Sequence, residues 1–331
     1  MSLVLATSHS PFLYATPQEW DAVRAARTAA GGTHPGLPVD PPEVNRDKHA
    51  RSLAALGVLR ERLAAAEPDV LLVFGDDQGE QFHFANFPAF GLYVGESYEG
   101  YKVSPWQSMY VPGVQRQRTP KTPQSWTQVK SHAPLARYLM EGLVARHFDL
   151  AFSTELPEPD EGIGHAFMRP SFHLRPDYDL PTVPFFVNCY FEPQPTGERC
   201  YQLGVAVREL IDAWDADLRV AVIGSGGLWH TPGAPDASLN EPFDTAVLDA
   251  VRAGDPHGLA RWFDAAPPVV SAVGPRTGMA GGVGSGSGEV RNWIVAAAVA
   301  GEVPGTVVDY VPVPASPCGL AFAYWTPQEG A

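Results

Sequence analysis

The sequence predicts an α/β protein: a single large domain with a central, mostly parallel mixed sheet, helices on its flanks and a long lid-like loop. Three observations lead there. Short, wholly apolar runs, the pattern of strands buried on both faces, alternate with longer segments of helical period, as in LVLAT at 3–7, the segment 45–66 and DVLLVF at 69–74. Such runs stop at glycine or polar residues, so one edge of the sheet should collect functional groups. No internal repeat or linker breaks the 331 residues, a length that permits one unit over 1–331.

Each element follows from its residues. LVLAT is a short strand that ends in Ser8-His9-Ser10-Pro11. Residues 15–44, rich in Pro, Gly, Ala and Thr, read as an irregular excursion. In 45–66, Leu53, Leu56, Leu59 and Leu63 recur at helical spacing, and Pro68 closes the segment. DVLLVF is a buried strand that delivers Gly75-Asp76-Asp77-Gln78 to the same edge as His9. Residues 91–131 mix aromatic, polar and proline residues without a period, and compact domains reserve so long a loop for a lid or substrate-binding element. An amphipathic helix over 132–146 and a strand over 148–153 precede a loop carrying Gly162-Ile163-Gly164-His165. Next come a strand at 183–190, a helix at 197–214 and a strand at 218–224, which breaks into the glycines of AVIGSGGLWHTPG (221–233) and so places His230 at a strand's C-terminal end. Helices at 243–253 and 256–263, the glycine-rich MAGGVGSGSG at 279–288, a helix starting near Glu289, and strands at 305–313 and 319–325 complete the chain.

Composition removes several classes of function. A formal charge of -14, from 37 acidic against 23 basic residues, leaves no basic footprint for nucleic acid. No apolar run reaches the length of a membrane span, and MSLVLATSHSPF lacks the basic start and cleavage site of a signal peptide, so a cytoplasmic protein is expected. Cys189, Cys200 and Cys318 have neither the number nor the spacing of a disulfide framework or zinc finger, and read as buried thiols. GGVGSGSG lacks the Lys-Ser/Thr ending of a phosphate-binding loop, and GSGG is not a nucleophile elbow, which sets Ser225 aside as a nucleophile.

What remains is a set of histidines and carboxylates. His9, His165 and His230 lie at strand ends or in glycine-flanked loops, Asp76 and Asp77 end a strand, and Glu289 opens a helix. Singly, each fits a turn or a helix cap. Together they have the composition of a mononuclear His/carboxylate metal site with open positions, suited to non-haem Fe(II) and dioxygen, with spare histidines for acid and base chemistry. His34, His49, His147, His173 and His257 read as surface residues, and His83 could face either way.

Five motifs, SHSP, GDDQ, GIGHAF, GSGGLWH with NEPFD behind it, and GEVRNW, occur in the order and approximate spacing of the class III extradiol ring-cleavage dioxygenases, the superfamily of the protocatechuate 4,5-dioxygenase β subunit and gallate dioxygenase. The chain resembles that family over most of its length, apart from 15–44 and much of 91–131. The resemblance implies His9 and Glu289 as metal ligands, His230 as the acid/base, and His165 as a second active-site histidine that binds or polarises substrate. It implies Fe(II), or another divalent metal, as cofactor, a catechol-type substrate with dioxygen, no organic cofactor, and a homo-oligomer. Where family members have Asn-Asp-His, this chain has Asp76-Asp77-Gln78, so Gln78 takes a ligand's place. A glutamine carbonyl is a neutral, weaker donor than imidazole. The readings left open are an altered but active metal site completed by Gln78, Asp77 or His83; a hydrolase or lyase working through His165 and His230; and a catalytically silent binding subunit.

Overall fold

A computed structural model describes residues 1–29, 37–107, 115–215, 217–230, 238–266, 286–315 and 317–326. Its centre is an eight-stranded sheet made of β1 (Leu3–Thr7), β2 (Val70–Gly75), β3 (Phe90–Tyr93), β6 (Ala151–Ser153), β7 (Thr182–Val187), β8 (Val220–Ser225), β9 (Thr306–Val313) and β10 (Cys318–Trp325). The spatial order is β6-β3-β7-β2-β8-β1-β10-β9. The four strands at its heart, β7, β2, β8 and β1, run parallel, with Leu72 beside Val183 and Val222, and Val4 also beside Val222. Every residue of these four strands is buried. Their apolar runs therefore lack the polar alternation of a strand with one wet face.

Strand alternation divides the interior into two cores. Val4, Ala6, Leu72 and Val222 face one side, covered by α3 (Ala133–Ala145), α5 (Gly197–Ala213), α6 (Glu241–Ala253), α7 (Pro256–Ala265) and α8 (Val290–Ala300). Leu3, Leu5, Leu71 and Ile223 face the other, covered by α1 (Pro17–Ala29), α2 (Pro42–Ala66) and α4 (His165–Leu174). Helix α8 is buried on every side; it is apolar or alanine apart from Arg291 and Asn292, which donate to the carbonyls of Pro195 and Ser225. Antiparallel β9 and β10 extend the sheet past β1.

Two expected excursions prove to be more regular than composition suggested. Within 15–44, Pro17–Ala29 is helix α1, with Trp20 and Val23 buried and the Trp20 indole donating to the Phe12 carbonyl at 2.9 Å. The prolines and glycines that gave the stretch its irregular character cluster after this helix. Within 91–131, β4 (Ser97–Tyr101) and β5 (Trp126–Lys130) pair antiparallel, burying Tyr98, Tyr101 and Val129. The stretch between these strands hides their alternation from a reading by period. Residues 30–36 and 108–114 of these two stretches, 231–237 of the motif around His230, and 279–285 of the glycine-rich segment lie outside the described residues. His165 opens α4 instead of lying in a loop. Among the described residues no helix is long and apolar enough to cross a membrane.

The packing of α5 on α8 sets a sharp test of this architecture. A β-carbon on Gly204 would lie 2.5 Å from the Val295 carbonyl and 2.6 Å from the Ala298 β-carbon, whereas Gly57 in α2 has nothing within 4 Å. Gly204→Val should destabilise by about 1–3 kcal/mol or more through overpacking. Gly57→Ala should stabilise by about 0.5–1 kcal/mol through helix propensity. Urea unfolding of both variants measures the difference.

Candidate active site

The C-terminal ends of the four parallel strands converge on a buried cluster. β1 delivers His9, β2 delivers Asp76 and Gln78, β7 leads to Tyr190 and β8 to His230, while Glu289 arrives at the start of α8 and His165 at the start of α4. Of these, Asp76 and Glu289 have no exposed surface, and His9 is also buried.

Glu289 is the most heavily engaged group. Its Oε2 accepts from the Gly227 backbone N–H at 2.6 Å and lies 3.5 Å from His9 Nε2. Its Oε1 accepts from the Tyr190 hydroxyl and from Gln78 Nε2 at 3.4 Å, and lies 3.3 Å from His230 Nε2. Burial alone would push this carboxyl up, but His230 and His9 outweigh it and hold the carboxyl well below its usual range. The close approach depends on Gly286, because a β-carbon there would overlap His230 Nε2.

Each histidine has one ring nitrogen tied away from the centre. Ser225 donates its only hydroxyl proton to the Ala166 carbonyl at 2.6 Å, so its oxygen accepts from His9 Nδ1 at 3.0 Å and leaves His9 Nε2 as a lone-pair donor. Burial pulls His9 down to about 4 against the attraction of Glu289, so it is neutral at ordinary pH. Neutral imidazole, oriented through its other nitrogen, is the form that binds metals. His165 Nδ1 meets both oxygens of Glu80, at 2.8 and 2.9 Å, and its backbone N–H also donates to Glu80. The His9 and His165 rings meet edge to face with centroids 4.7 Å apart. His230 donates from Nδ1 to the Leu228 carbonyl at 3.1 Å, and its Nε2 lies 3.1 Å from the Tyr190 hydroxyl. Burial lowers the His230 pKa, but Glu289 more than offsets that and the net shift is upward. His230 is thereby poised to carry a proton.

Asp76 differs from all of these. Among the described residues neither side-chain oxygen has a hydrogen-bond partner, although the side chain is fully buried. Its Oδ1 lies 3.8 Å from His9 Nε2, and one donor atom each from His9, Asp76 and His165 fit within 4.8 Å of one another. Burial, then Glu289 and Glu80, push its carboxyl well above the ordinary range. An orphaned buried carboxylate among imidazole nitrogens is the donor set of a divalent cation, which would supply the missing partner. The neighbouring candidates are placed differently. Asp77 accepts the backbone N–H groups of Gly79, Gln81 and Phe82 at 2.9–3.1 Å and so closes the loop after β2. His83 is exposed and its Nδ1 caps the Ala85 N–H, so it does not complete the site. Gln78 directs its amide nitrogen to Tyr190 at 3.1 Å as well as to Glu289.

Tyr190, Glu80 and Arg169 were missed as site residues by sequence reasoning. Tyr190 ends an apolar run just as His9 does, and that signal could have found it. Glu80 and Arg169 gave no such sign. Arg169, one turn after His165, donates to the carbonyls of His9 at 3.0 Å and Val103 at 2.9 Å, fixing the end of β1 from the opposite side of the site. His173 is not the surface residue expected: it packs on Tyr14 and Phe172, and burial lowers it to about 4. Beyond His165 opens a cleft whose walls include Tyr101, Val103, Pro105 and Ile163.

With this geometry in place, comparison with known proteins defines the class. The chain belongs to the family described as the catalytic LigB subunit of aromatic ring-opening dioxygenase, whose model matches residues 3–321. It is 33% identical to a gallate dioxygenase of Pseudomonas putida over 141 residues, 41% of this chain and 40% of the relative. It is 28% identical to a 2,3-dihydroxyphenylpropionate/2,3-dihydroxicinnamic acid 1,2-dioxygenase of Photorhabdus laumondii, covering 61% of this chain and 55% of the relative. A protein of the latter description from Cupriavidus necator is also 28% identical, over 67% of this chain and 62% of its own length. The chain thus spans about half the length of the curated relatives it matches. The crystal structure of an uncharacterized protein from Escherichia coli K12 aligns with a TM-score of 0.47 at 15% identity, covering 82% of this chain and 91% of that one.

The Glu80–His165 pair has a pH signature. His165 draws the Glu80 carboxyl from 4.5 down to about 2, overcoming the opposing effect of burial. A carboxyl depressed in the folded state contributes stability that is complete above pH 4.5 and is lost as pH falls towards 2. Metal-free Glu80→Gln should therefore melt below wild type at pH 6, with the gap narrowing through that acid window. Calorimetric melting curves of the two proteins between pH 6 and pH 2 check this.

Proposed function

We propose that this protein is a metal-dependent extradiol dioxygenase that opens the ring of a catechol-type substrate beside its two hydroxyl-bearing carbons. The observation that carries the proposal is the buried Asp76 carboxylate beside His9 Nε2, in a side-chain cluster that also holds Glu289, His165 and His230. Membership of the ring-opening dioxygenase family supports the reaction class, and the names of the relatives support a vicinal dihydroxy aromatic substrate. His9 and Glu289, with a third donor from the loop after β2, would hold the ion. The His/carboxylate donor set and its need for open positions favour Fe(II). Such an ion, when bound, supplies Lewis acidity towards phenolic oxygens and a meeting point for substrate and dioxygen.

The chain's own residues divide the remaining tasks. His230, its Nε2 facing Tyr190 and Glu289, takes a proton from a phenolic hydroxyl and returns it as the ring opens. Glu289 raises the His230 pKa, which favours the imidazolium that the return step requires. Tyr190 donates to Glu289 and so holds that carboxylate and the histidine in register. His165, oriented by Glu80, hydrogen-bonds the substrate. The cleft beside His165, with Val103, Pro105 and Ile163 as apolar walls, admits the ring and limits water around it.

Oxygen consumption with a panel of catechols tests the proposal. Anaerobically prepared, Fe(II)-loaded protein should consume oxygen, a chelator should abolish the uptake, and added Fe(II) should restore it. His230→Ala should lower kcat by about 10²–10⁴-fold, the range for loss of a general acid/base. Undiminished turnover by His230→Ala, or hydrolysis without oxygen uptake, would overturn the assignment.

A further inference from the structure

The geometry points to Asp76, not Gln78, as the third protein ligand of the divalent ion, so that His9, Asp76 and Glu289 form a one-histidine, two-carboxylate site. This inference rests on the metal-dependent reading above.

Four observations converge on it. Asp76 is fully buried, and among the described residues both of its oxygens lack a hydrogen-bond partner. A carboxylate in that state costs free energy unless something positive meets it, and among the described residues no lysine or arginine forms an ion pair with it. Gln78, by contrast, has its amide nitrogen directed at Tyr190 and Glu289. Turning the amide over to offer its oxygen would place that oxygen against the Glu289 carboxylate and break both hydrogen bonds.

His9 links the two carboxylates: its Nε2 stands 3.8 Å from Asp76 Oδ1 and 3.5 Å from Glu289 Oε2, and donor atoms of His9, Asp76 and His165 lie within 4.8 Å of one another. Separations of this size suit donors that share one ion at about 2.0–2.2 Å each. Both contacts of His9 Nε2 are longer than an ordinary hydrogen bond. Charge agrees as well, since two carboxylates balance a dication, whereas His9, Gln78 and Glu289 would leave it half neutralised. Harder oxygen donors in place of an imidazole shift preference towards Fe(II) and Mn(II), and away from Zn(II) and Cu(II). Gln78 is then a positioning residue: its amide holds Tyr190 and the second oxygen of Glu289 and does not touch the ion.

Metal binding itself tests this without reference to turnover. Isothermal titration with Mn(II) would be run on the wild type, Asp76→Asn and Gln78→Ala. One Mn(II) per wild-type chain is expected, weakened at least about tenfold in Asp76→Asn and changed by less than about threefold in Gln78→Ala, because ligand loss exceeds the effect of an outer partner. The metal-free Asp76→Asn protein should melt at or above wild type, since a neutral amide of the same shape replaces a buried acid crowded by other carboxylates. A second variant covers the case in which Asp76→Asn does not fold: Asp76→His adds a nitrogen donor and should shift the visible absorption of bound Co(II). The reverse pattern, tenfold loss in Gln78→Ala with Asp76→Asn unaffected, or unchanged Co(II) bands in Asp76→His, overturns the ligand assignment while leaving a metal enzyme in place. Failure of the wild type to bind Mn(II), Fe(II) or Co(II) overturns both the assignment and the metal-dependent reading beneath it.

Discussion

The buried carboxylate of Glu289 is the constraint around which the site is built. A charge with no exposed surface survives only if its surroundings supply partners, and these come from four separate parts of the fold. The turn after β8 gives a backbone N–H and His230, the segment after β7 gives the Tyr190 hydroxyl, the loop after β2 gives the Gln78 amide, and β1 brings His9 alongside. Glu289 stands where it does because α8, apolar apart from Arg291 and Asn292, sinks into the core against the sheet. Packing of an ordinary hydrophobic helix thereby aims a carboxylate at the strand ends, where its own helix terminus adds a favourable field.

The opposite face of the sheet contributes by a matching device. Helix α4 begins at His165 as α8 begins just after Glu289, so the two cores each present one functional group at a helix start. The Ser225 hydroxyl joins the halves, accepting from His9 and donating to Ala166 in α4. The sheet edge, the two helix starts and the tied-off imidazole nitrogens together leave the remaining lone pairs directed inward. Preorganisation of that kind comes from backbone positions and costs little when substrate arrives.

Much of this was legible in the residues. Wholly apolar runs ending in glycine or polar groups identified β1, β2 and β8, and with them His9, Asp76, Gln78 and His230. The glycine-rich approach to Glu289 marked the fifth position. Other features exist only through tertiary contact. The Glu80–His165 pair joins positions 85 apart in sequence, and no local period announces it. Asp76 and Gln78 are two residues apart on one loop, and composition does not say which of them is left without partners. Helix α1 and the β4–β5 pair escaped because neighbouring proline, glycine and charged residues obscured short periods that burial nonetheless stabilises.

The placement of β1 has a consequence for how the molecule comes into being. This strand is made before every other described element, yet it lies between β8 and β10 and pairs with both. The serine that orients His9 is 216 residues further along the chain, and β10 is later still. At translation rates of about 5–20 residues per second, the first strand waits roughly 15–60 s for its last neighbour. Until β8 emerges this apolar segment lacks a strand to pair with, and until β10 emerges one of its edges stays open, so the first-made strand of the sheet is among the last to have both edges paired.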